Sequence, residues 1–306
     1  MAADYILRSY GDVAAKEDVV LNAIELLTAT EDTIQSKLGR SKAINTVHAY
    51  LTDTLPTYGS GAVEEASDYS YSALSTPTRL TNVVQLTVAN GRVSDIQRSI
   101  EHYHGQDELQ RQINKALKDF ANKVEYDLVR STLVSGVSGT TSKVSGILEA
   151  ISKSTNVTAH NSGTEWSATI LDALLANNWE NSNGDVATDL FMGASMARQT
   201  DSFTQKTNSV MNNVPVTTIV KTVSTYTNSF GSVQIHKHRM VQISTDATAR
   251  VLGINRDKLK IAWLMMPRIN RDLAKTGPFT PFAVEGAWTL EVRNQDSNFY
   301  STGFKK

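Results

Sequence analysis

Residues 258–266 (KLKIAWLMM) and 283–293 (AVEGAWTLEVR), near the C-terminal end of the chain, decide the fold because both are patterned as β-strands. The first is a mostly apolar run, and the second mostly alternates between apolar and polar residues. One face of the second strand would carry Ala287, Thr289, Glu291 and Arg293. The opposite face, with Trp288, Leu290 and Val292, is predicted to be buried. The polar linker between the two strands is too long for a tight hairpin turn.

The composition of the 306-residue chain is that of an ordinary soluble fold, with 40% hydrophobic and 20% charged residues. Its 30 Lys and Arg against 31 Asp and Glu leave a formal net charge of -1, which argues against a dedicated nucleic-acid binder. The absence of cysteine excludes disulfides, thiolate zinc sites and cysteine nucleophiles. The start of the chain lacks the regions of a signal peptide, and no apolar run reaches the ~18 residues of a membrane span. We therefore expect a cytoplasmic product without a membrane segment.

The clearest helix is predicted over residues 106–134, where apolar side chains recur at helical spacing. Its apolar stripe consists of Leu109, Ile113, Leu117, Phe120, Val124 and Leu128. The glycines of the sequence SGVSGT that follows are expected to end it. Shorter elements are predicted along the chain: a helix over residues 19–35, a helix over 167–179 with Ser167 as N-cap, a strand over 189–192, a helix over 194–203 and a strand over 232–241.

A long excursion interrupts the regular pattern between the N-terminal residues and this helix. Its ends, residues 46–55 (TVHAYLTDTL) and 78–88 (TRLTNVVQLTV), are strand-like. Its middle, residues 56–77, is rich in Gly, Ser, Ala and Tyr. A weakly structured excursion of this length inside a compact domain is uncommon and usually functional. We expect it to reach out and lie on another molecule.

The candidates for chemistry are few. His102 and His104, and again His236 and His238, are two residues apart, so on a strand each pair would project from one face as metal ligands do. Neither pair has a cysteine or a clear carboxylate at ligand spacing, which favours solvent-exposed histidines. Residues 139–145 (GTTSKVS) lack the second glycine and the preceding strand of a phosphate loop. The sequence thus predicts no catalytic, cofactor-binding or metal-binding residue, and no enzyme.

Short segments along most of the chain are similar to a known family. The segments are residues 36–43 (SKLGRSKA), 51–55 (LTDTL), 61–64 (GAVE), 78–82 (TRLTN), 273–277 (LAKTG) and 289–294 (TLEVRN). In this order, and with this order of elements, the chain resembles the major capsid proteins of tailed bacteriophages, which have the Hong Kong ninety-seven fold. The resemblance is closest to a podovirus-type branch of that family.

The resemblance implies an α+β fold with named parts. These are an N-terminal arm (residues 1–45), an extended β-hairpin loop (46–90), a peripheral domain (91–184) with a long spine helix (106–134), an axial domain (185–255) and return strands of the peripheral domain (256–306). The implied function is that of a structural subunit of an icosahedral virion, which assembles into pentamers and hexamers around double-stranded DNA in the host bacterial cytoplasm.

Several partners follow from the same resemblance. We expect other copies of the chain, a portal protein, a possible decoration protein and weak, non-specific contact with packaged DNA, but no membrane and no cofactor. The matching segments begin at Ser36, which leaves no room ahead of the arm for the scaffold domain of some relatives. A separate scaffold protein is therefore expected.

Opposite charges are predicted to meet between subunits. The excursion carries the acidic set Asp53, Glu64, Glu65 and Asp68, and Arg79 is the only Lys or Arg between positions 43 and 85. The C-terminal region carries the basic set Arg256, Lys258, Arg268, Arg271 and Lys275. Contacts between the two sets would hold the excursion on a neighbour. The alternative is that both sets are solvated, since exposed ion pairs contribute only ~0–1 kcal/mol each.

A covalent cross-link between subunits is not expected. In the founding member of the resembled family, a lysine of the extended loop forms an isopeptide bond with a neighbour. Residues 43–90 contain no lysine, and the guanidinium of Arg79 stays protonated and is a poor nucleophile. Particles should therefore be held together by non-covalent contacts.

Three other functions remain open. The same fold serves encapsulin shells of bacteria, which enclose a cargo enzyme. A hydrolase or transferase would need convergent polar residues in a pocket, and the sequence offers none. A phage tail or fibre protein would fit the Ser and Thr content but not the long helix.

Overall fold

The computed structural model describes residues 34–54, 59–65, 68, 75–100, 107–137, 139–203, 224–243 and 245–306. The helix predicted over residues 19–35, except for its last two residues, lies outside this part of the chain, as do His102 and His104. The helices are α1 (Ile34–Lys37), α2 (Asp95–Ser99), α3 (Glu108–Arg130), α4 (Ile147–Ser152), α5 (Ala168–Asn181) and α6 (Ala194–Asp201). The strands are β1 (Gly39–Lys42), β2 (Val47–Thr52), β3 (Thr78–Val83), β4 (Gln85–Ser94), β5 (Val157–Thr164), β6 (Asp189–Met192), β7 (Thr225–Asn228), β8 (Gly231–Lys237), β9 (Ala249–Ile254), β10 (Leu259–Asn270), β11 (Phe279–Val292) and β12 (Phe299–Phe304).

The two strands predicted near the C-terminal end form the centre of a four-stranded sheet with the order β1-β10-β11-β4. Both are longer than predicted, because β10 continues to Asn270 and stays paired with β11, and because β11 already begins at Phe279, where it pairs with β4. Arg268 pairs opposite Glu285 in this added stretch, so its polar residues are accommodated by the ladder. The face with Trp288, Leu290 and Val292 is buried, as predicted. On the opposite face, Thr289 and Glu291 are buried too, so the burial is not confined to one face.

Helix α3 crosses one face of this sheet and supplies the largest core. It begins after Asp107, whose side chain accepts a hydrogen bond from the backbone N–H of Leu109. The predicted apolar stripe is buried, which confirms the periodicity. The helix ends at Arg130, four residues before the predicted end at 134 and well before the glycines. Ser131 is extended, and its carbonyl accepts a bond from Gly146, which draws the chain away from the helix axis.

A six-stranded sheet with the order β5-β12-β9-β6-β8-β7 forms a second core with α5 and α6. The strand predicted over 189–192 is confirmed as β6, and the side chain of Ser167 caps α5 by accepting a hydrogen bond from Ile170 N–H. The strand predicted over 232–241 ends at Lys237, because the chain turns away at His238.

The two strand-like ends of the excursion pair with each other as a two-stranded antiparallel hairpin, β2–β3. The register runs from Val47 opposite Val83 to Thr52 opposite Thr78. Strand β4 begins at Gln85, inside the range expected for the extended loop, and belongs to the four-stranded sheet. The hairpin therefore leaves the body at residues 83–85.

Candidate intersubunit surface

The β2–β3 hairpin has two different faces. On one face His48, Tyr50 and Leu80 are half-buried against the body. On the other face Val47 and Leu51 are exposed, and Leu51 keeps 68% of its surface accessible. Two further apolar residues outside the two strands are exposed, Ile44 (87%) and Val63 (72%). We call Val47 and Leu51 the outer apolar face of the hairpin.

The Asn82 side chain anchors the hairpin at its base. Its Oδ1 accepts a hydrogen bond from the backbone N–H of Ser145 at 3.0 Å. Its Nδ2 donates to the carbonyl of Leu290 at 2.8 Å and to that of Ser145 at 3.2 Å. Asn82 is buried, so these bonds replace water for its amide group. One side chain thus joins the hairpin to β11 and to the segment before α4.

Gln85 repeats this arrangement at the start of β4. Its Oε1 accepts a hydrogen bond from the backbone N–H of Val144 at 3.0 Å, and its Nε2 donates to the Asp127 carboxylate of α3. Burial raises the pKa of the Asp127 carboxyl, and the bond from Gln85 and the charge of Lys143 offset this only in part. The base of the hairpin is therefore tied to α3 through a partly desolvated acid.

The end of β11 supplies the remaining anchors. The Glu291 carboxylate accepts hydrogen bonds from Ser41 Oγ (3.0 Å) and Arg293 Nε (2.7 Å), and His48 Nε2 lies 3.6 Å away. Burial alone would raise the pKa of Glu291, but these contacts outweigh it and lower the pKa. The Tyr50 hydroxyl accepts a bond from the backbone N–H of Val292 at 3.2 Å. The inner face of the hairpin is thereby fixed, while its outer apolar face stays open.

The acidic residues predicted for subunit contacts, Asp53, Glu64, Glu65 and Asp68, are all exposed. In the basic set, four residues have acid partners elsewhere in the same chain. The pairs are Arg256 with Asp189 (2.9 Å), Lys258 with Asp185 (2.8 Å), Arg268 with Glu285 (2.8 Å) and Lys275 with Asp95 (3.6 Å). None of these four acid partners belongs to the acidic set of the excursion. Contact between the acidic and the basic set of neighbouring subunits therefore stays a prediction.

Arg271 differs from the other basic residues. Its guanidinium lies 3.5 Å from Oε1 of Gln110, near the start of α3. Burial lowers the pKa of Arg271, and the negative charge of Asp107 acts against this shift. The described hydrogen bond of Arg271 is to an amide, whereas each of the other four members of the set pairs with an acid.

The prediction that His236 and His238 are solvent-exposed is wrong, because both are buried and each contacts a carboxylate. His236 Nε2 lies 2.9 Å from Asp189 Oδ1, and His238 Nε2 lies 2.7 Å from Glu125 Oε1. Burial alone would raise the pKa of Asp189, but bonds from His236 and Thr188 and the charge of Arg256 lower it. The acids are 47 and 113 residues away in sequence, so local spacing could not find them. Within the described residues, no group of three potential ligands could hold a metal ion.

Several solved structures share this fold, among them two capsids and an encapsulin. The capsid of a native GTA particle matches with a TM-score of 0.66 and 12% identity, over 89% of this chain and 90% of that one. The capsid of Myoviridae phage XM1 matches with a TM-score of 0.60 and 12% identity, over 89% and 91%. An encapsulin from Synechococcus elongatus matches with a TM-score of 0.55 and 12% identity, over 88% and 85%. No curated protein matches the sequence.

These likenesses define the class: the chain has the α+β fold of phage capsid proteins, as predicted. The family model described as SU10 major capsid protein matches residues 8–305, and the chain belongs to that family. The protein is a major capsid protein, a structural subunit of a viral shell. In the described part of the chain, the helices are too short or too polar to cross a membrane.

Proposed function

We propose that the chain builds the icosahedral capsid of a tailed phage of the podovirus type by forming pentamers and hexamers around double-stranded DNA. The observation that carries this proposal is the outer apolar face of the hairpin, which is exposed although the hairpin base is firmly anchored. Burying one such side chain fully contributes about 1.5–3 kcal/mol. Repetition of the same contact in every copy of a closed shell makes weak interfaces sufficient.

The proposed parts have distinct roles in the shell. The extended loop (46–90) would lie across a neighbouring copy with the part that precedes β4, and residues 1–45 would form the N-terminal arm. The axial domain (185–255) would meet its copies at the centres of capsomers. The peripheral domain (91–184 and 256–306) would carry α3 as its spine. In this proposal the role is purely structural, without enzymatic activity.

Other proteins complete the proposed particle. A portal, a separate scaffold and a possible decoration protein are proposed partners, and assembly would take place in the cytoplasm of the bacterial host. The near-neutral net charge of -1 supports only weak, non-specific contact with the packaged DNA, which a capsid must later release. Co-expression with neighbouring genes, followed by electron microscopy, tests which partners closed shells require.

The outer apolar face is tested by a matched pair of variants. Leu51→Asp places a charge on the hairpin, whereas Val137→Asp places one on an equally exposed residue outside it, since both are 68% accessible. We expect Leu51→Asp to give folded subunits or capsomers without closed shells in negative-stain images, and Val137→Asp to assemble. Deletion of residues 57–75 should act as Leu51→Asp does. Normal shells from both hairpin variants would contradict the proposal.

A shell around a cargo protein is the second candidate, because the encapsulin from Synechococcus elongatus shares the fold. The contents of purified particles separate the two functions. Nuclease-protected double-stranded DNA inside particles from infected cells supports the phage capsid. Particles that hold a protein and no DNA would support the nanocompartment.

A further inference from the structure

Glu125 is a buried acid on the core-facing side of α3. Only 3% of its surface is exposed, and its neighbour Val124 belongs to the apolar stripe of the helix. A glutamate this deeply buried is expected to be paired, because an uncompensated charge in the interior is costly. The groups that contact the Glu125 carboxylate therefore decide whether its burial is tolerated.

Donors from two remote parts of the chain converge on the Glu125 carboxylate. The backbone N–H of Ile34 donates to Oε1 at 2.8 Å, and that of Gln35 donates to Oε2 at 3.1 Å. His238 Nε2 lies 2.7 Å from Oε1, and it is the donor because a carboxylate only accepts. These two N–H groups belong to the first two residues of α1. The described part of the chain begins at the same helix, directly after residue 33. Both oxygens of the Glu125 carboxylate therefore accept a hydrogen bond from the start of α1.

His238 reaches Glu125 from the end of the six-stranded sheet, directly after β8. Its ring packs edge-on against Phe191 of β6, with ring centroids 5.8 Å apart. Among the residues that the structure describes, no hydrogen-bond partner meets the buried Nδ1 of His238. Glu125 therefore provides the polar contact of this ring. A shift of the sheet relative to α3 would act on the same carboxylate that holds α1.

We propose that Glu125, His238 and the N–H groups of Ile34 and Gln35 form a clasp that couples the N-terminal arm to the six-stranded sheet. If His238 moves away, the carboxylate loses its side-chain donor and must be satisfied by two backbone groups alone. If α1 moves away, the carboxylate keeps His238 alone. Either loss leaves a buried acid short of donors and raises the cost of keeping it away from water, so opening of one contact favours opening of the other. This goes beyond shell formation, because the clasp lies within one chain.

A pair of His238 variants tests the coupling in the full-length unassembled chain. An Asn side chain ends near the Nδ1 position and cannot reach Glu125, whereas Gln can place an N–H near the Nε2 position. We expect His238→Asn to raise amide hydrogen exchange at Ile34 and Gln35 by about tenfold, although His238 does not contact α1. His238→Gln should exchange nearly as the parent protein does. Unchanged exchange at Ile34 and Gln35 in the Asn variant, or an equal rise in both variants, would overturn the proposal.

A second comparison separates the clasp from general loosening of a buried pair. Glu125→Gln should raise exchange both at α1 and in residues 239–243, because its amide presents a donor where an acceptor is needed. Asp189→Asn disturbs the other buried His–carboxylate pair without contacting α1. Equal rises at α1 in both variants would contradict coupling through Glu125. Should Glu125→Gln fail to fold, the His238 pair decides alone. Shell formation is scored separately by microscopy, so a failure there concerns the proposed function only.

Discussion

At the scale of single residues, the hairpin depends on buried polar side chains. Asn82 and Gln85 each bridge two other segments: Asn82 meets buried backbone groups, and Gln85 meets the backbone N–H of Val144 and the Asp127 carboxylate. A buried group left without its partner costs about 1–3 kcal/mol, more than the bond itself contributes. The position of the hairpin is therefore specified more strictly by these amides than by apolar contacts.

Replacing Asn82 by Ala is predicted to lower the free energy of unfolding by about 1–3 kcal/mol, because Ser145 N–H and the Leu290 carbonyl lose their partner. Chemical denaturation of the purified subunit measures the change. Thr81→Ala, on the exposed face of the same strand, is the control and should stay within about 0.5 kcal/mol of the parent. Equal losses for the two variants would contradict the anchoring role.

Asp127→Asn is predicted to stabilise the fold at neutral pH. The pKa of Asp127 is raised from 3.8 by burial, so the folded chain holds this proton more tightly than the unfolded chain does. Ionisation above that range therefore costs folded stability, whereas Asn avoids the charge and still accepts the bond from Gln85. The gain in Tm at pH 7 should shrink as the pH falls through the ordinary aspartate range. A variant that melts below the parent at pH 7 would show that the charge is needed.

At the scale of elements, where periodicity predicted a helix or a strand, it predicted the interior of the element better than its ends. The stripe of α3 followed from spacing alone, but its end depends on Gly146, which contacts Ser131 from the next segment. The anchors of the hairpin could not be predicted, because Asn82 meets partners 63 and 208 residues away. Glu125 stayed hidden for the same reason, since its partners come from two distant segments.

The start of α3 gives a prediction at this scale. Asp107 caps the helix by accepting the N–H of Leu109 at 3.1 Å, and its charge lies at the positive end of the helix dipole. Asp107→Ala should cost about 1 kcal/mol of unfolding free energy, measured by denaturant titration. Asp107→Asn keeps the acceptor and should lose only a fraction of this. If the two variants lose the same amount, charge rather than capping holds the helix start.

At the scale of the whole molecule, contacts between copies of the chain are expected to determine how many shells form. Reversal of Glu64 and Glu65 to Lys should reduce the yield of shells, with a larger effect at low salt, where exposed charges are less screened. Arg271→Glu is the better compensating change, because Arg268 is already paired with Glu285 in its own chain. Shell yield across a salt series measures both effects. Yields that do not respond to reversal would show that the acids do not pair.

The absence of lysine from residues 43–90 predicts particles without covalent links through the hairpin loop. Mature particles boiled in detergent should run as one band near 33.5 kDa, the mass of the chain. Particles of a variant with a lysine placed in the loop serve as the comparison. A ladder of multiples from the parent particles would show that another lysine reacts.

The location of the hairpin anchors also constrains when the chain becomes able to meet a neighbour during its synthesis. The carbonyl of Leu290, the carboxylate of Glu291 and the N–H of Val292 all come from the end of β11. Strand β1, which leads into the hairpin, likewise pairs with β10, more than two hundred residues later. Contacts this remote form late, because the intervening chain must be made and closed first. A growing chain on the ribosome therefore cannot present a fixed hairpin to other nascent copies until the end of β11 has been synthesised.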